Sequence, residues 1–295
     1  IGKSSIVKQV AHENNLEFID LRLGILDVVD LRGLPYVSGE KAYWARPIFL
    51  PTDGRGILFL DEMNLASPAV LSSAYQLILD RQVGEHKLPN GWYIIAAGNR
   101  QEDSEAVFKI PDPLVGRFLH FEVEICVDEW LEWAVSNNIR PEIIAFIKTR
   151  PDLLLKIDKN RMSLPYPSPR TWEFASKLIS LNGNLDISSA VGEGVSAEFM
   201  AFCEVFNKLP DVDEILEGKL KVNIDELELS VVYALISSLA VRVKESQLEN
   251  VLKMILGIEK KEYGVFMLKL IAQRFDIRNS PIYEKIFEEY KEVVL

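Results

Sequence analysis

The residue types best suited to chemistry lie in two short stretches near the start of the sequence. Residues 2–5, of sequence Gly-Lys-Ser-Ser, have the composition of the second half of a phosphate-binding loop. Asp61 and Glu62 directly follow the apolar run of residues 57–60. Two carboxylates at the end of a buried strand cost free energy unless a cation or a reaction uses them. Together, the two stretches predict a site for a phosphate-bearing ligand and a metal ion.

Residues 2–5 precede apolar residues at helical spacing, and the N-terminal N–H groups of a helix favour anions. We therefore predict that Gly2, Lys3, Ser4 and Ser5 bind phosphate groups. Lys3 would reach the β- and γ-phosphates of a nucleotide, and the Ser4 hydroxyl would ligate Mg²⁺. A Gly-Lys-Ser triplet also occurs by chance, so an ordinary exposed start of a helix is the alternative.

The two adjacent carboxylates are predicted to have different roles. A nucleotide-bound Mg²⁺ keeps several waters and needs few protein carboxylates, so we assign Asp61 to the metal. Glu62, on the other side of the strand, would polarise a water for attack on the γ-phosphate. The alternative is a strand that ends in two solvated acids.

Two residues further along the chain are candidates for the same site. Asn99 follows a second predicted buried strand, residues 92–97, and its neutral amide can orient the attacking water. Arg117 precedes a third predicted strand, residues 118–125, and could stabilise charge on a phosphoryl group. The alternatives are a turn residue after Gly98 and a solvated arginine.

The spacing of apolar residues predicts two regions of different architecture. Up to about residue 126, predicted strands alternate with helices, which is typical of a parallel α/β sheet. The first of these strands spans residues 16–21, and a short helix is predicted over residues 24–34. Beyond residue 126 strand signals nearly vanish, so the rest is predicted to be helical. The predicted helices there span residues 128–150, 171–182, 195–208, 225–243, 245–257, 261–275 and 281–293.

The order of these motifs resembles that of the AAA+ ATPases, and within them the MoxR-like branch. Asn64 falls where this branch often has asparagine after the acidic pair. The resemblance covers motifs up to about residue 182, and the later helices only by type. The matching segments are residues 2–4 (Walker A), 57–62 (Walker B), 97–99 (sensor 1), 116–118 (arginine finger) and 168–171 (sensor 2).

The resemblance implies a P-loop AAA+ core with a parallel sheet over residues 1–126. A mainly helical lid and C-terminal region would follow over residues 127–295. The central strand of the family and the first part of its P-loop would lie before Ile1, so we expect the sequence to be part of a longer polypeptide. The cofactors implied are ATP and Mg²⁺, and the activity implied is ATP hydrolysis.

The resemblance also assigns roles to individual residues of a catalytic centre. Glu62 would be the catalytic base, and Asn99 would position the water. Members of the family commonly form rings of six subunits, with ATP between neighbours. Arg117 would then act on the nucleotide of the adjacent subunit, and Arg170, at the start of a lid helix, would act in cis or in trans.

A MoxR-like protein would be a chaperone or remodelling ATPase whose partner carries a von Willebrand factor A domain. Residues 36–55 would be an irregular hairpin or loop insertion, and residues 82–91 a β-hairpin or turn region. The resemblance implies that both segments line the pore of the ring. Tyr43, Trp44 and His86 are therefore candidate contacts to a protein partner. The alternative is that these side chains pack within their own hairpins.

Composition limits the other classes of partner. The 295 residues carry a formal net charge of −11, which argues against a surface built to bind nucleic acid. A nucleic-acid-linked motor, such as a restriction-associated GTPase or a helicase-like relative, would have only Lys41, Arg46 and Lys87 near its pore. A scaffold that binds nucleotide without hydrolysing it is a further alternative.

No apolar run approaches the length that spans a membrane, so no membrane partner is expected. Cys126 and Cys203 form no disulfide or metal-binding pattern. We expect a cytoplasmic location.

Overall fold

The apolar run before Asp61 forms the middle strand of a parallel sheet. The computed structural model describes residues 2–99, 108–157, 164–183, 185–280 and 282–294. The chain divides into two units, Ile1–Val123 and Glu124–Leu295. The boundary lies three residues before the predicted one.

The first unit contains strands and helices in alternation. Its strands are β1 (Glu17–Arg22), β2 (Pro35–Ser38), β3 (Lys41–Trp44), β4 (Gly56–Asp61), β5 (Gln82–Val83), β6 (His86–Lys87) and β7 (Trp92–Ala96). Its helices are α1 (Lys3–Glu13), α2 (Val28–Arg32), α3 (Pro68–Asp80) and α4 (Asp112–Val115).

Strand β4 is buried on both faces because it has a parallel neighbour on each side and a helix over each face. The sheet order is β1-β4-β7, with Leu58 of β4 opposite Ile19 and Ile94. Leu58 and Leu60 face the core that contains α3, whereas Ile57 and Phe59 face the opposite core with Ala11 of α1. This alternation follows from the two-residue period of a strand. The prediction of a parallel α/β sheet is confirmed for these three strands.

The prediction of a further strand over residues 118–125 is wrong, because the structure has no strand there. Leu119 and Phe121 are 86% and 85% exposed, and Val123 and Ile125 are also exposed. Alternating apolar residues favour a strand only where a neighbour can pair with the backbone. Among the described residues β7 pairs with β4 alone, so its other edge has no strand partner.

The helix predicted over residues 24–34 needs correction. The predicted helix over residues 24–34 is a 3₁₀ turn, Leu23–Ile25, followed by the short helix α2. The Asp27 N–H donates to the Asp30 carboxylate at 2.8 Å and starts α2 separately. The predicted hairpins form as the antiparallel pairs β2–β3 and β5–β6.

The second unit is helical in its described residues. Its helices are α5 (Val127–Ser136), α6 (Pro141–Thr149), α7 (Pro169–Asn182), α8 (Ser188–Val191), α9 (Glu193–Cys203), α10 (Val212–Leu216), α11 (Leu229–Arg242), α12 (Leu248–Leu256), α13 (Lys261–Ala272) and α14 (Tyr283–Val294). The predicted start of the last helix at residue 281 lies outside the described residues. None of the helices in the described part of the chain is long and apolar enough to cross a lipid bilayer.

The core of the second unit is aromatic and aliphatic. The ring of Phe146 lies 5.7 Å from that of Trp172 and 5.4 Å from that of Phe199, measured between ring centroids. The predicted single helix over residues 128–150 is two helices, α5 and α6. The chain turns between them at Asn138, whose φ of 54° is left-handed, and α6 restarts with Pro141 in its first turn.

Tyr290 of α14 is buried and makes a hydrogen bond to the residues at the end of α12. Its buried hydroxyl donates to the Ile255 carbonyl at 2.7 Å, and burial raises the pKa of Tyr290 to about 12, which keeps that proton in place. A Cβ at Gly264 would lie 2.6 Å from Cζ of Tyr290. We therefore expect Gly264→Ala to lower the free energy of unfolding by about 2–3 kcal/mol, measured by denaturant titration.

Gly194→Ala is the matched control for this prediction. Gly194 also lies in a helix of the second unit, and a Cβ there would meet nothing within 4 Å. We expect this variant to be as stable as the wild type or more stable by about 0.5–1 kcal/mol. Equal loss of stability in both variants would contradict the proposed contact.

Candidate functional site

The start of α1 and the end of β4 meet through one hydrogen bond. Gly2 precedes α1 with a left-handed φ of 69°, which glycine adopts without strain. The Ser4 hydroxyl then donates to Oδ2 of Asp61 at 2.6 Å. The other carboxylate oxygen of Asp61 accepts the Glu62 N–H at 2.9 Å. These two bonds hold the Asp61 carboxylate in one orientation.

Ser4 and Asp61 form a donor set that fits Mg²⁺ bound to a nucleotide. Neighbouring ligand oxygens around Mg²⁺ are about 3.0 Å apart, because each bond is ~2.1 Å long and the geometry is octahedral. The 2.6 Å between Ser4 Oγ and Asp61 Oδ2 needs only a small widening to reach that distance. Among the described residues, no group of three or more histidine, cysteine or acidic side chains is arranged to hold a metal ion. A nucleotide-bound ion takes most of its ligands from phosphate and water, so one hydroxyl and one carboxylate suffice.

Glu62 occupies a backbone conformation that non-glycine residues rarely adopt. Its φ of 53° and ψ of 36° are left-handed, which costs about 1–2 kcal/mol. The chain turns sharply here, out of β4 and into a 3₁₀ turn, Met63–Leu65. The Glu62 carboxylate lies beside Gly24, where a Cβ would be 3.4 Å from Oε2. The two adjacent acids therefore have different surroundings.

Asn99 lies within reach of the Gly-Lys-Ser segment at the start of α1. Lys3 Nζ donates to Oδ1 of Asn99 at 3.1 Å, which joins the start of α1 to the residues after β7. The Asn99 backbone is held in turn by the side chain of Asn64, a buried residue of the turn after β4. The structure thus brings together Lys3, Ser4, Asp61 and Asn99.

The sequence pattern does not predict the contact between Asn64 and Asn99. Two features of the sequence could have indicated this contact. Asn64 lies two positions after the acidic pair, and Gly98 directly precedes Asn99. Gly98 is required by space, because a Cβ there would lie 2.7 Å from Oδ1 of Asn64.

The remaining predicted site residues are not joined to this network by contacts of the described residues. Ser5 is exposed on α1, one position after Ser4. Arg117 is exposed in the turn that follows α4, and its backbone N–H donates to the Leu114 carbonyl at 3.0 Å. Arg170 is exposed in the first turn of α7, which belongs to the second unit.

The two hairpins of the first unit contact each other at Trp44. The Trp44 N–H donates to Glu85 at 3.1 Å, and the Trp44 carbonyl lies 2.8 Å from Nε2 of His86. The hydrogen bond from Trp44 lowers the pKa of Glu85. Tyr36 and Tyr43 stack with ring centroids 5.7 Å apart and are both exposed. Trp44 and His86 therefore pack between the hairpins, whereas the tyrosine pair faces solvent.

Comparison with known proteins adds a limited similarity. No family model matches the chain. The chain is 26% identical to Midasin of Giardia intestinalis over 148 residues, which cover 46% of this chain and 3% of that protein. Midasin is an AAA+ ATPase. The similarity supports an AAA+ relationship in general. It does not distinguish one branch of that group from another.

Proposed function

We propose that this chain binds ATP with Mg²⁺ and hydrolyses it at the carboxyl end of β4, as part of a MoxR-like AAA+ protein. The observation that carries the proposal is the 2.6 Å hydrogen bond from Ser4 to Asp61. It joins a Gly-Lys-Ser segment at a helix start to an acidic strand end, which is the arrangement that a nucleotide with its metal ion requires. The hydrogen bond between Lys3 and Asn99 and the similarity to Midasin support the same function.

The first step is the capture of the phosphates. The N–H groups at the start of α1 and the Lys3 ammonium would bind the β- and γ-phosphate oxygens. A charged phosphate oxygen is a stronger acceptor than an amide oxygen, so Lys3 would leave Oδ1 of Asn99 for the phosphate. Oδ1 of Asn99 then becomes free to accept a hydrogen bond from the attacking water. Binding of the nucleotide thereby prepares the residue that orients the water.

The second step is the attack of water on the γ-phosphate. Mg²⁺, held by Ser4 and Asp61, would supply charge neutralisation on the phosphates. Glu62 would accept the proton of the water, since no other described side chain donates a hydrogen bond to its carboxylate and it is partly exposed. The Asp61 carboxylate already accepts two hydrogen bonds, from Ser4 and from the Glu62 N–H. The two acids therefore have different surroundings, which suits them to different roles.

We propose that the active protein is a ring, commonly of six subunits, in which Arg117 stabilises charge on the nucleotide of a neighbour. The exposed position of Arg117 leaves it available to another subunit. We expect Arg117→Ala to keep ATP binding and to lower the turnover rate by about 10³-fold, measured by phosphate release. Arg170 is proposed to contact the nucleotide from the lid, in cis or in trans.

Mixing two inactive variants tests whether Arg117 acts across an interface. A mixture of Arg117→Ala and Glu62→Gln proteins would contain interfaces with an intact Glu62 on one side and an intact Arg117 on the other. We expect turnover in the mixture to exceed the sum of the two separate rates. A mixture no more active than that sum would contradict action in trans.

We propose a protein as the remodelled partner, in line with a chaperone role, and an associated protein with a von Willebrand factor A domain. The exposed Tyr36 and Tyr43 offer an apolar contact surface of the kind that proteins use. Nucleic acid is less well supported, because Arg46 already donates to the carbonyls of Leu50, Pro51 and Lys87. A basic side chain committed to its own loop contributes little to phosphate binding.

Phosphate release from ATP and from GTP, with and without Mg²⁺, tests the proposed function. We expect Mg²⁺-dependent turnover of ATP. Binding of ATP without turnover, alone and with a partner, would instead favour a nucleotide-gated scaffold. A protein that neither binds nor hydrolyses ATP would exclude the proposal.

A further inference from the structure

We propose that Asn64 is a positioning residue that fixes Asn99 at the site, and that hydrolysis depends on this contact. Asn64 is 5% exposed, in the turn that follows the acidic pair. The catalytic part of this inference rests on the proposed ATPase function. The structural part, the clamp of Asn64 on Asn99, can be tested without nucleotide.

Both polar groups of the Asn64 side chain make hydrogen bonds to the backbone of Asn99. Nδ2 of Asn64 donates to the backbone carbonyl of Asn99, and Oδ1 accepts the Asn99 N–H at 3.0 Å. Two hydrogen bonds to the N–H and C=O of the same residue fix the backbone on both sides of its Cα, as a backbone partner does in a sheet. Asn64 therefore replaces a strand neighbour with a side chain.

A side chain is needed here because the backbone of β4 turns away. Pairing between β4 and β7 continues as far as Ala97, whose N–H donates to Leu60 and whose carbonyl accepts the Met63 N–H, both at 2.9 Å. The left-handed Glu62 then ends the extended conformation. Without Asn64, the backbone groups of Asn99 would have no partner from this turn.

Gly98 supplies independent evidence that the contact is built into the fold. A Cβ at this position would lie 2.7 Å from Oδ1 and 2.9 Å from Cγ of Asn64. Gly98 does not have a left-handed φ, so the requirement for glycine comes from the closeness of Asn64. Only glycine at position 98 leaves room for the side-chain amide of Asn64.

The clamp matters because Asn99 faces the ligand end of Lys3. Its Oδ1 lies 3.1 Å from Lys3 Nζ, where the phosphates and the water are proposed to bind. A displacement of about 1 Å in a positioning group can lower a rate by about 100-fold. Loss of the clamp should therefore affect the chemical step more than the binding of nucleotide.

The experiment compares Asn64→Ala and the isosteric Asn64→Asp, which keeps the volume but loses the donor. We expect both to lower kcat by about 10–100-fold and to change the Kd for ATP by less than about threefold. The matched control is Ser73→Ala, which removes another buried side chain bonded to a backbone carbonyl in the first unit, at 3.0 Å. The control should keep the wild-type kcat.

A double-mutant cycle separates positioning from a general structural effect. If Asn64 acts through Asn99, Asn64→Ala should not lower kcat further in an Asn99→Ala background, within about twofold. Effects that multiply would overturn the inference, as would a wild-type kcat in both Asn64 variants.

Hydrogen exchange tests the clamp when turnover cannot. In the absence of nucleotide, the backbone N–H of Asn99 should exchange faster in Asn64→Ala, which lacks the acceptor Oδ1, than in the wild type and in Ser73→Ala. Unchanged exchange would overturn the inference. Faster exchange in a protein without ATPase activity would establish the clamp and refute only the proposed function.

Discussion

Replacing Glu62 with glutamine is expected to lower the rate of ATP turnover by about 100-fold or more while ATP still binds. The amide has the shape of the carboxylate but cannot accept a proton from the attacking water. Lys3, Ser4 and Asp61, which are proposed to hold the phosphates and the metal, are unchanged. Phosphate release and an ATP titration on the same protein measure the two quantities.

Glu40→Gln is the control for this variant. Glu40 is an exposed acid in the turn between β2 and β3, so its loss changes the net charge of the protein equally. We expect its turnover to equal that of the wild type. Undiminished turnover in Glu62→Gln would remove Glu62 from the mechanism.

The second large effect is expected for Lys3→Ala, which should weaken ATP binding by about 30- to 140-fold. A charge-assisted hydrogen bond contributes about 2–3 kcal/mol, and each 1.4 kcal/mol is a factor of ten in Kd. Turnover should fall as well, because Lys3 would no longer neutralise the γ-phosphate. The measurement is an equilibrium titration with ATP in the presence of Mg²⁺.

Lys8→Ala provides the matched control, since Lys8 is an exposed lysine on the same helix. It removes the same charge from α1 at a different position. We expect its Kd to stay within about threefold of the wild-type value, as surface charges have small effects. Equal weakening by both substitutions would mean that α1 acts through general electrostatics and that Lys3 has no specific contact.

The parts of the fold that were predicted from the sequence are those with a strong local signal. Strand β4 is a continuous apolar run, and such runs occur in strands covered on both faces. The segment over residues 118–125 has an equally clear strand signal, because apolar and polar residues alternate along it, yet it forms no strand. Strand formation depends on a pairing neighbour, and the pattern of one segment carries no information about that neighbour.

In the candidate site, too, the sequence indicates residues with a local signal and does not indicate contacts between distant residues. Asp61 and Glu62 were predicted from residue type and from their place at a strand end, and Lys3 and Ser4 from a short motif. The contact of Asn64 with Asn99 joins residues 35 apart in sequence, and only the register of β4 against β7 brings them together. The roles of all these site residues, and those of Arg117 and Arg170, stay predictions, because their proposed partners are a nucleotide, a metal ion and a second subunit.

The most direct test of the proposed site is an equilibrium titration of the wild-type protein with ATP, with Mg²⁺ and with a chelator. The arrangement of Lys3, Ser4 and Asp61 predicts saturable binding of one nucleotide per chain, strengthened by Mg²⁺. No saturable binding under either condition would contradict the assignment of these residues to a nucleotide site.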